Sequence, residues 1–119
     1  MAKNLDISVL LDFYGDMLTE KQRDVAEFYY NEDLSLAEIA EHSGITRQGV
    51  RDSIKRAEFQ LLEYEEKLGL YAKFVKIQGG LNQILKTADE LHIYLSQNSE
   101  ASEKIQEIID IANDLNDDE

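Results

Sequence analysis

The sequence predicts an all-α fold, in which a helix-turn-helix bundle is followed by a heptad-patterned helical extension. The chain of 119 residues contains no proline, the residue that most strongly breaks a helix interior. Apolar residues recur at helical spacing along most of its length, and no alternating β-branched run is bounded by turn residues, so strands are not expected. With 43% hydrophobic residues, the chain can bury one modest core, or a small domain with a helical extension.

Two helices are predicted before the central motif. A first amphipathic helix ending near Leu18 is predicted from apolar residues at helical spacing: Ile7, Leu10, Leu11, Tyr14, Met17 and Leu18. Thr19 and Gln22 are spaced as a capping box, which predicts the start of a second helix. The apolar stripe of this second helix is Val25, Phe28 and Tyr29, and the polar residues 31–33 end it. We interpret the adjacent residues Tyr29 and Tyr30 as core residues rather than as a stacking surface.

Residues 35–57 have the pattern of a helix-turn-helix. Ser35 and Glu38 can form a capping box at the start of the first helix. Gly44 can end that helix in the left-handed conformation, and Thr46 can cap the next helix. The angle between the two helices is then filled by Ile45, Val50 and Ile54.

The outer face of the second helix is predicted to be a nucleic-acid-binding face. It carries Thr46, Arg47, Gln48, Arg51, Asp52, Lys55 and Arg56. The segment 46–57 holds four basic residues and one acidic residue, a local excess of positive charge in a chain of net charge −13. Such side chains can reach phosphates or base edges in a DNA groove. Two helices at an angle can also form a core unit without a ligand, but a purely structural corner does not require this charge inversion.

Composition limits the other classes of function. A net charge of −13 repels nucleic acid and anionic membranes at long range, so any DNA binding depends on local positive charge. The absence of cysteine fits a reducing interior. No segment approaches the roughly 20 apolar residues that span a bilayer, and residues 1–6 lack the apolar core of a signal peptide. These observations predict a cytoplasmic protein without membrane insertion.

Three heptad series of apolar residues occupy the later part of the chain. The first comprises Val50, Ile54, Ala57, Leu61, Tyr64 and Leu68. The second comprises Leu70, Phe74, Ile77, Leu81, Ile84, Ala88, Leu91 and Leu95. The third comprises Ala101, Ile105, Ile108, Ala112 and Leu115. A monomer of this size cannot easily bury every series, so a helical hairpin, a two-fold dimer or both are implied. We favour a homodimer, although the spacing does not decide whether the series pair within or between chains.

The chain is predicted to have two parts, a helix-turn-helix domain over residues 1–68 and an acidic helical extension over residues 69–119. The extension is the predicted surface for dimerisation or for a partner. Residues 87–119 carry a net charge of −9, interpreted as a solvated helix face with a disordered end from Asn116; a docking surface for a basic partner is the alternative. Gly79 and Gly80 indicate either a kink or a close helix crossing.

No enzymatic constellation is apparent. The chain has no cysteine, no recognisable Ser/His/Asp set and no phosphate-binding glycine loop. His42 and His92 are too far apart in the sequence to share a helical metal-binding motif, and we interpret both as structural. The acidic residues Glu63, Glu65 and Glu66 are interpreted as a solvated helix face. We therefore predict a protein that is not an enzyme, with no catalytic residues, cofactor or metal site.

Two stretches resemble region 4 of bacterial sigma factors, which reads the −35 promoter element. They are residues 18–23, Leu-Thr-Glu-Lys-Gln-Arg, and residues 34–40, Leu-Ser-Leu-Ala-Glu-Ile-Ala, the latter followed by Gly-Ile-Thr at 44–46. The resemblance covers residues 18–61. It implies that bases and phosphates are contacted by Thr46, Arg47, Gln48, Arg51 and Lys55. Gly49 departs from the larger polar residue usual in that family.

The whole chain is similar to the YlxM family, small helix-turn-helix proteins of low-GC Gram-positive bacteria whose genes lie beside those of the signal recognition particle. The segments that carry this resemblance are Asp-Phe-Tyr-Gly at 12–15 and Thr-Glu-Lys-Gln-Arg at 19–23. The resemblance implies an all-helical, sigma-like fold of the winged-helix class. It also implies a DNA-binding regulatory role linked to the signal recognition particle pathway. The alternative is a protein or ribonucleoprotein accessory module of that pathway, in which the helix-turn-helix is a scaffold.

Overall fold

The computed structural model describes residues 5–117, and within them the all-α prediction is confirmed: six α-helices are present and no strand occurs. The helices are α1 (Leu5–Tyr14), α2 (Glu20–Tyr30), α3 (Leu36–Ser43), α4 (Arg47–Leu68), α5 (Leu70–Tyr94) and α6 (Ser99–Asp117). The described residues therefore include no β-stranded wing beside the helix-turn-helix. None of their helices is long and apolar enough to cross a membrane.

The first helix is shorter than its apolar spacing predicted. The α-helical part ends at Tyr14, and a 3₁₀ turn, Gly15–Met17, follows, closed by a hydrogen bond from the Leu18 N–H to the Gly15 carbonyl. A 3₁₀ turn has three residues per turn instead of 3.6, so side chains after Tyr14 leave the α-helical stripe. Met17, which was predicted to belong to that stripe, is exposed for this reason.

The contacts within the chain define two compact units, one ending at Ala72 and the other beginning at Lys73. In the first unit, α4 is the central helix and packs against α1, α2 and α3. Four side chains of the first heptad series are fully buried on its inner face: Val50, Ile54, Ala57 and Leu61. Burying a large aliphatic side chain contributes about 1.5–3 kcal/mol, so these four residues hold the unit together and are not free for a partner. Leu68, the last residue of the series, is 52% exposed.

The core of the first unit has two neighbouring clusters. One lies between α1 and the later part of α4 and contains Ile7, Leu10, Leu11, Tyr14, Leu18, Ala26, Ala57 and Leu61. The other joins α2, α3 and the start of α4 and contains Val25, Tyr29, Ile39, Val50 and Ile54. The two adjacent tyrosines belong to this core, as predicted: Tyr29 is buried, and the half-buried Tyr30 donates a hydrogen bond from its hydroxyl to Glu58.

The second unit is a hairpin formed by α5 and α6. Its buried residues are Ala88, Ile105 and Ala112. The Asn116 amide donates a hydrogen bond to the Asn82 side-chain oxygen at 3.1 Å, and the Ser102 hydroxyl lies 3.0 Å from Nε2 of His92. The second and third heptad series therefore pair in part within one chain.

One expectation about this hairpin needs correction. The disordered end predicted from Asn116 is wrong for the first two residues, because α6 continues to Asp117; Asp118 and Glu119 lie outside the described residues. Helix α5 runs without interruption through Gly79 and Gly80. Apart from the adjacent residues and nearby backbone of the same helix, no described atom lies within 4 Å of a Cβ placed on either glycine, so none of residues 5–117 crosses closely there.

Candidate nucleic-acid interface

The corner between α3 and α4 forms through the local signals predicted from the sequence. The Ser35 hydroxyl accepts a hydrogen bond from the Glu38 N–H, and the Glu38 carboxylate accepts one from the Ser35 N–H, which completes the capping box. Gly44 ends α3 in the left-handed region at φ = +69°, and its N–H donates to the Ala40 carbonyl. The Thr46 hydroxyl then accepts from the Gly49 N–H at 3.0 Å and caps α4.

The buried side of this corner fixes the direction of α4. Ile39, Val50 and Ile54 are completely buried and pack with residues of α2, while Ile45 is half-buried beside them. Because the inner face of α4 is occupied in this way, the residues on the other side of the helix must face solvent.

All the residues predicted for the binding face are exposed. They are Thr46, Arg47, Gln48, Arg51, Asp52, Lys55 and Arg56. We call its four cations, Arg47, Arg51, Lys55 and Arg56, the basic face. Within the described residues, ion pairs join Arg23 to Asp16 and Lys67 to Glu63, and none includes a cation of the basic face. These charges are therefore available to an external anion.

Two polar groups of this surface already have partners in the chain. The Gln48 amide donates a hydrogen bond to Oδ1 of Asp52 at 3.0 Å, one turn later on the same helix. Asp52 is the one acidic residue among 46–57, so this bond fixes the place of the negative charge next to the cations. The Thr46 oxygen is occupied by its capping bond, which leaves the hydroxyl hydrogen free for an acceptor.

Gly49 is the third residue of α4, the position that Gln22 and Glu38 hold after the caps of α2 and α3. A Cβ at this position would lie 3.2 Å from Oγ1 of Thr46 and 3.7 Å from a methyl group of Ile45. The cap alone does not require glycine, because the caps of α2 and α3 accept from residues that carry a Cβ. The departure from the sigma pattern removes one side chain from the first turn of the recognition helix.

The structure also brings Lys21, which sequence reasoning missed, to the same surface. Lys21 lies in the first turn of α2 and lines a cleft of about 420 Å³ together with Gln22, Asp52 and Arg56. Ser53, only 8% exposed, also lines this cleft, and its hydroxyl has no hydrogen-bond partner among the described residues. The capping box at Thr19 places Lys21 in an exposed first turn, but only the packing of α2 on α4 brings it beside Arg56.

An exposed aromatic residue continues the basic face along α4. Phe59 is 61% exposed and shares a shallow groove with Lys55 and Arg56. No sequence pattern marked Phe59, because the heptad series lies on the opposite, largely buried side of the helix. A phenylalanine beside two cations offers an apolar contact for a base or for a protein partner.

The far end of α4 is fixed by a buried tyrosine. The Tyr14 hydroxyl donates to Oε1 of Glu65 at 2.5 Å and accepts from the Leu70 N–H at 3.0 Å. The two Glu65 oxygens accept from the N–H groups of Tyr71 and Ala72, each at 3.0 Å. The first N–H groups of α5 are thus satisfied by residues of α1 and α4. The interpretation of Glu65 as a solvated residue is wrong.

The contacts that Tyr14 and Glu65 make with the start of α5, which we call the joint between α4 and α5, shift two pKa values. The hydrogen bond from Tyr14 is the largest cause that lowers the pKa of Glu65 below its ordinary 4.5; burial opposes it, and the N–H groups of Tyr71 and Ala72 add to the lowering. Burial is the largest cause that raises the pKa of Tyr14 above its ordinary 10.0, and the hydrogen bond to Glu65 adds to it. Both shifts favour a neutral tyrosine beside a charged glutamate.

The two histidines have structural contacts. His42, in the last turn of α3, packs edge-on against Phe28 with ring centroids 4.7 Å apart. His92 pairs with Ser102 inside the hairpin. Among residues 5–117, no group of three or more potential metal ligands comes together.

The two angled helices and the exposed cations on the second define a helix-turn-helix protein. A family model described as "Putative helix-turn-helix protein, YlxM / p13 like" matches residues 1–108 of the chain. The chain belongs to this family, as the resemblance predicted.

Relatives match along most of their length. A "UPF0122 protein" of Clostridium kluyveri is 46% identical over 109 residues, which cover 92% of this chain and 96% of the relative. A protein with the same printed name from Acetivibrio thermocellus is 41% identical over 116 residues, covering 92% and 99%. Another, from Desulforamulus reducens, is 51% identical over 83 residues, covering 70% and 71%.

Proposed function

We propose that this protein is a DNA-binding regulatory protein that works as a homodimer in the cytoplasm and is linked to the signal recognition particle pathway. The observation that carries the proposal is the basic face, whose four cations are exposed and unpaired within the described chain of an acidic protein. The proposed role is that of a binding protein and not of an enzyme.

In the proposed mode of binding, α4 enters the major groove. The N-terminal residues of a recognition helix are the ones that contact base edges. Thr46, Arg47, Gln48 and Arg51 are therefore assigned to bases and nearby phosphates, and Lys55 and Arg56 to the phosphate backbone. Asp52 holds the Gln48 amide in place and offers an acceptor to a cytosine amino group. Lys21 is assigned to the same backbone, because it shares the cleft of Arg56.

The experiment that tests this proposal compares two charge reversals. Arg51→Glu removes a cation from the basic face, and Lys86→Glu makes the same change in net charge at an exposed position of α5. We expect Arg51→Glu to weaken binding to mixed genomic DNA fragments tenfold or more, roughly 1.4 kcal/mol or more. Lys86→Glu should change it by less than about twofold, since Lys86 lies on α5 and does not belong to the basic face.

Binding would be measured by fluorescence titration at fixed salt, and circular dichroism would check that both variants keep the helix content of the parent chain. Equal loss of affinity in the two variants would mean that total charge, and not the basic face, controls binding. Unchanged affinity in Arg51→Glu would remove α4 from the interface.

A second candidate function is favoured by the charge of the extension. Residues 87–119 carry a net charge of −9, which a DNA-binding helix-turn-helix does not need. In this alternative, the helix-turn-helix is a scaffold, and the acidic half recruits a protein or ribonucleoprotein partner of the signal recognition particle pathway. A-form RNA has a major groove too narrow for a recognition helix, so contact with RNA would use its backbone or loops.

The two candidates differ in their dependence on nucleic acid. Affinity capture from cell lysate would be performed with and without nuclease, using the full chain and a chain that ends at Ala72. Capture of DNA by both chains supports the DNA-binding proposal. Nuclease-resistant capture of a partner by the full chain alone supports the accessory module.

A further inference from the structure

The hairpin of the second unit leaves an apolar face of α5 uncovered. The face is formed by residues at heptad spacing: Ile77, Gly80, Ile84, Thr87 and Leu91. Its three large side chains are 47–52% exposed, although leucine and isoleucine are among the residues most often buried. Ile84 and Leu91, with Ile108 from α6, line a groove of about 600 Å³. We call this groove the hairpin groove.

We propose that α5 of a second copy of this chain packs antiparallel into the hairpin groove. This inference specifies the interface of the homodimer proposed above and rests on that part of the proposed function, independently of DNA. In the resulting assembly, two α5 helices lie side by side, and each keeps its own α6, which gives a four-helix bundle.

The sizes of the side chains favour an antiparallel pair of α5 helices. Large residues at one heptad position alternate with small residues at the other, Gly80 and Thr87. In an antiparallel pair related by a two-fold axis, the two heptad positions face each other, so Ile84 meets the partner's Gly80. Large side chains then fill the spaces left by small ones, and the helices can approach closely.

The antiparallel pairing of the two α5 helices explains why a glycine lies at position 80. A glycine inside a helix is less favourable than alanine, and no described atom other than the adjacent residues and nearby backbone of its own helix lies close enough to require it. A second copy supplies the close helix crossing that the sequence suggested and that is absent among the described residues of one chain. Gly80 lines the groove, whereas Gly79 does not.

The charges along the edge of this face are also self-complementary. Lys76, Gln83 and Glu90 are spaced seven residues apart, and all three are exposed. A two-fold axis near Gln83 places Lys76 opposite the partner's Glu90, and the symmetry forms this pair twice. Within one chain the same two residues are separated by about 21 Å along the helix, so they cannot pair with each other.

The lining of the groove favours a second copy over a basic partner. Although residues 87–119 are strongly acidic, the groove residues include no acidic side chain. An apolar helix face is therefore a better complement than a cationic one. The α5 helix of a second copy offers such an apolar face.

The first test uses a matched pair of glycine substitutions. Gly80→Glu places a carboxylate in the hairpin groove, whereas Gly79→Glu adds the same charge at a neighbouring position outside it. Molar mass of the full chain would be measured by sedimentation equilibrium over a range of concentrations. We expect a dimer for the parent chain and for Gly79→Glu, and a weakening of more than about tenfold for Gly80→Glu. A monomeric parent chain, or equal dimerisation of the two variants, would overturn the interface.

The second test is a charge exchange that probes the antiparallel register. Lys76→Glu and Glu90→Lys should each weaken the dimer about three- to tenfold, because each places like charges opposite one another twice in the assembly. The double variant should return to within about twofold of the parent chain. Additive weakening in the double variant would overturn the antiparallel arrangement.

The outcome for this interface can be separated from the outcome for DNA binding. If the chain is monomeric but Arg51→Glu still reduces DNA affinity, the dimer interface fails and the DNA-binding proposal stands. If the dimer forms as expected but no DNA binds, the DNA-binding proposal fails and the interface stands.

Discussion

Gly44 sets the angle at which α4 leaves α3. Its φ of +69° lies in the left-handed region, and no described atom outside its neighbours lies within 4 Å of a Cβ placed on it. A side chain at this position would therefore cause no clash, and the cost of a substitution would come from the backbone alone. For L-residues other than glycine, that cost is about 1–2 kcal/mol, with asparagine the best tolerated.

We expect Gly44→Ala to lower the free energy of unfolding of the first unit by about 1–2 kcal/mol. Gly44→Asn is the matched control and should cost clearly less, because the asparagine side chain can form a hydrogen bond to its own local backbone. Urea unfolding monitored by circular dichroism would measure both. Equal losses for the two variants would show that the left-handed conformation is not the cause.

The capping residues could be predicted because each partner is close in the sequence. Ser35 bonds to Glu38, and Thr19 bonds to Gln22, so a segment of four residues contains the whole interaction. Glu65 could not be predicted in the same way, since its partner Tyr14 is 51 positions earlier in the chain. No local pattern reports such a contact, and a glutamate among other acidic residues looks like part of a solvated surface.

The joint between α4 and α5 is an arrangement of three helices. Tyr14 from α1 and Glu65 from α4 together accept hydrogen bonds from the first three N–H groups of α5. A negative charge at a helix N-terminus is also favoured by the helix dipole. This explains why the first compact unit ends at Ala72, inside α5, and not at the glycine between the helices.

The joint should make stability depend on pH in a defined direction. Because the pKa of Glu65 is lower in the folded state than its ordinary 4.5, its contribution is present above about pH 4.5 and is lost as the pH falls through the folded value. The pKa of Tyr14 is raised instead, so its contribution is present below pH 10 and is lost as the pH rises through its folded value.

Glu65→Gln should therefore lower the free energy of unfolding by about 1.5–3 kcal/mol at pH 7, the range for hydrogen bonds to a charged group. The difference between the parent chain and the variant should shrink as the pH is lowered below 4.5, the ordinary pKa of the group. Glu66→Gln, at an exposed neighbouring position, is the control and should have little effect. If the difference in free energy of unfolding between the parent chain and Glu65→Gln stays constant from pH 7 to below pH 4.5, the ionised carboxylate of Glu65 is not the cause of the stabilisation.

Helix boundaries were predictable where a cap or a glycine marks them, and less so where packing decides. Gly69, with φ of +62°, ends α4 where the first heptad series ends. At the change from α1 to the 3₁₀ turn, Tyr14 makes no side-chain cap and Gly15 is not left-handed, so no comparable marker is present there. Leu18 lies after the last helical turn, but its side chain is buried and therefore apolar. For this reason, apolar spacing alone predicted a helix that continues to Leu18.

In the whole molecule, positive charge is concentrated on one helix while the rest of the chain is acidic. The chain has 25 acidic and 12 basic residues, and four of the basic residues lie on the basic face. At physiological ionic strength, exposed charges more than about 8 Å apart are largely screened, so a polyanion at α4 responds chiefly to these cations. Binding should then be electrostatic and sensitive to salt.

The distribution of apolar residues between the two units could be predicted only in part. The spacing identified all three heptad series, but spacing is the same for a core, a hairpin and a dimer interface. Four residues of the first series are buried inside the helix-turn-helix unit, whereas Leu68 at its end is exposed. The other two series pair partly within the hairpin through Ala88, Ile105 and Ala112. The side of each helix that remains uncovered depends on packing between distant segments. The spacing of apolar residues does not specify that packing.

The most direct test of the basic face as a DNA-binding surface is the salt dependence of affinity for mixed genomic fragments. If all four cations of each protomer neutralise a phosphate, a dimer should show a slope of log affinity against log salt concentration of about −7, from roughly −0.9 per phosphate. Arg51→Ala should reduce the magnitude of that slope by about 2, since the dimer loses two contacts. A slope near zero, or a slope unchanged by Arg51→Ala, would contradict the account.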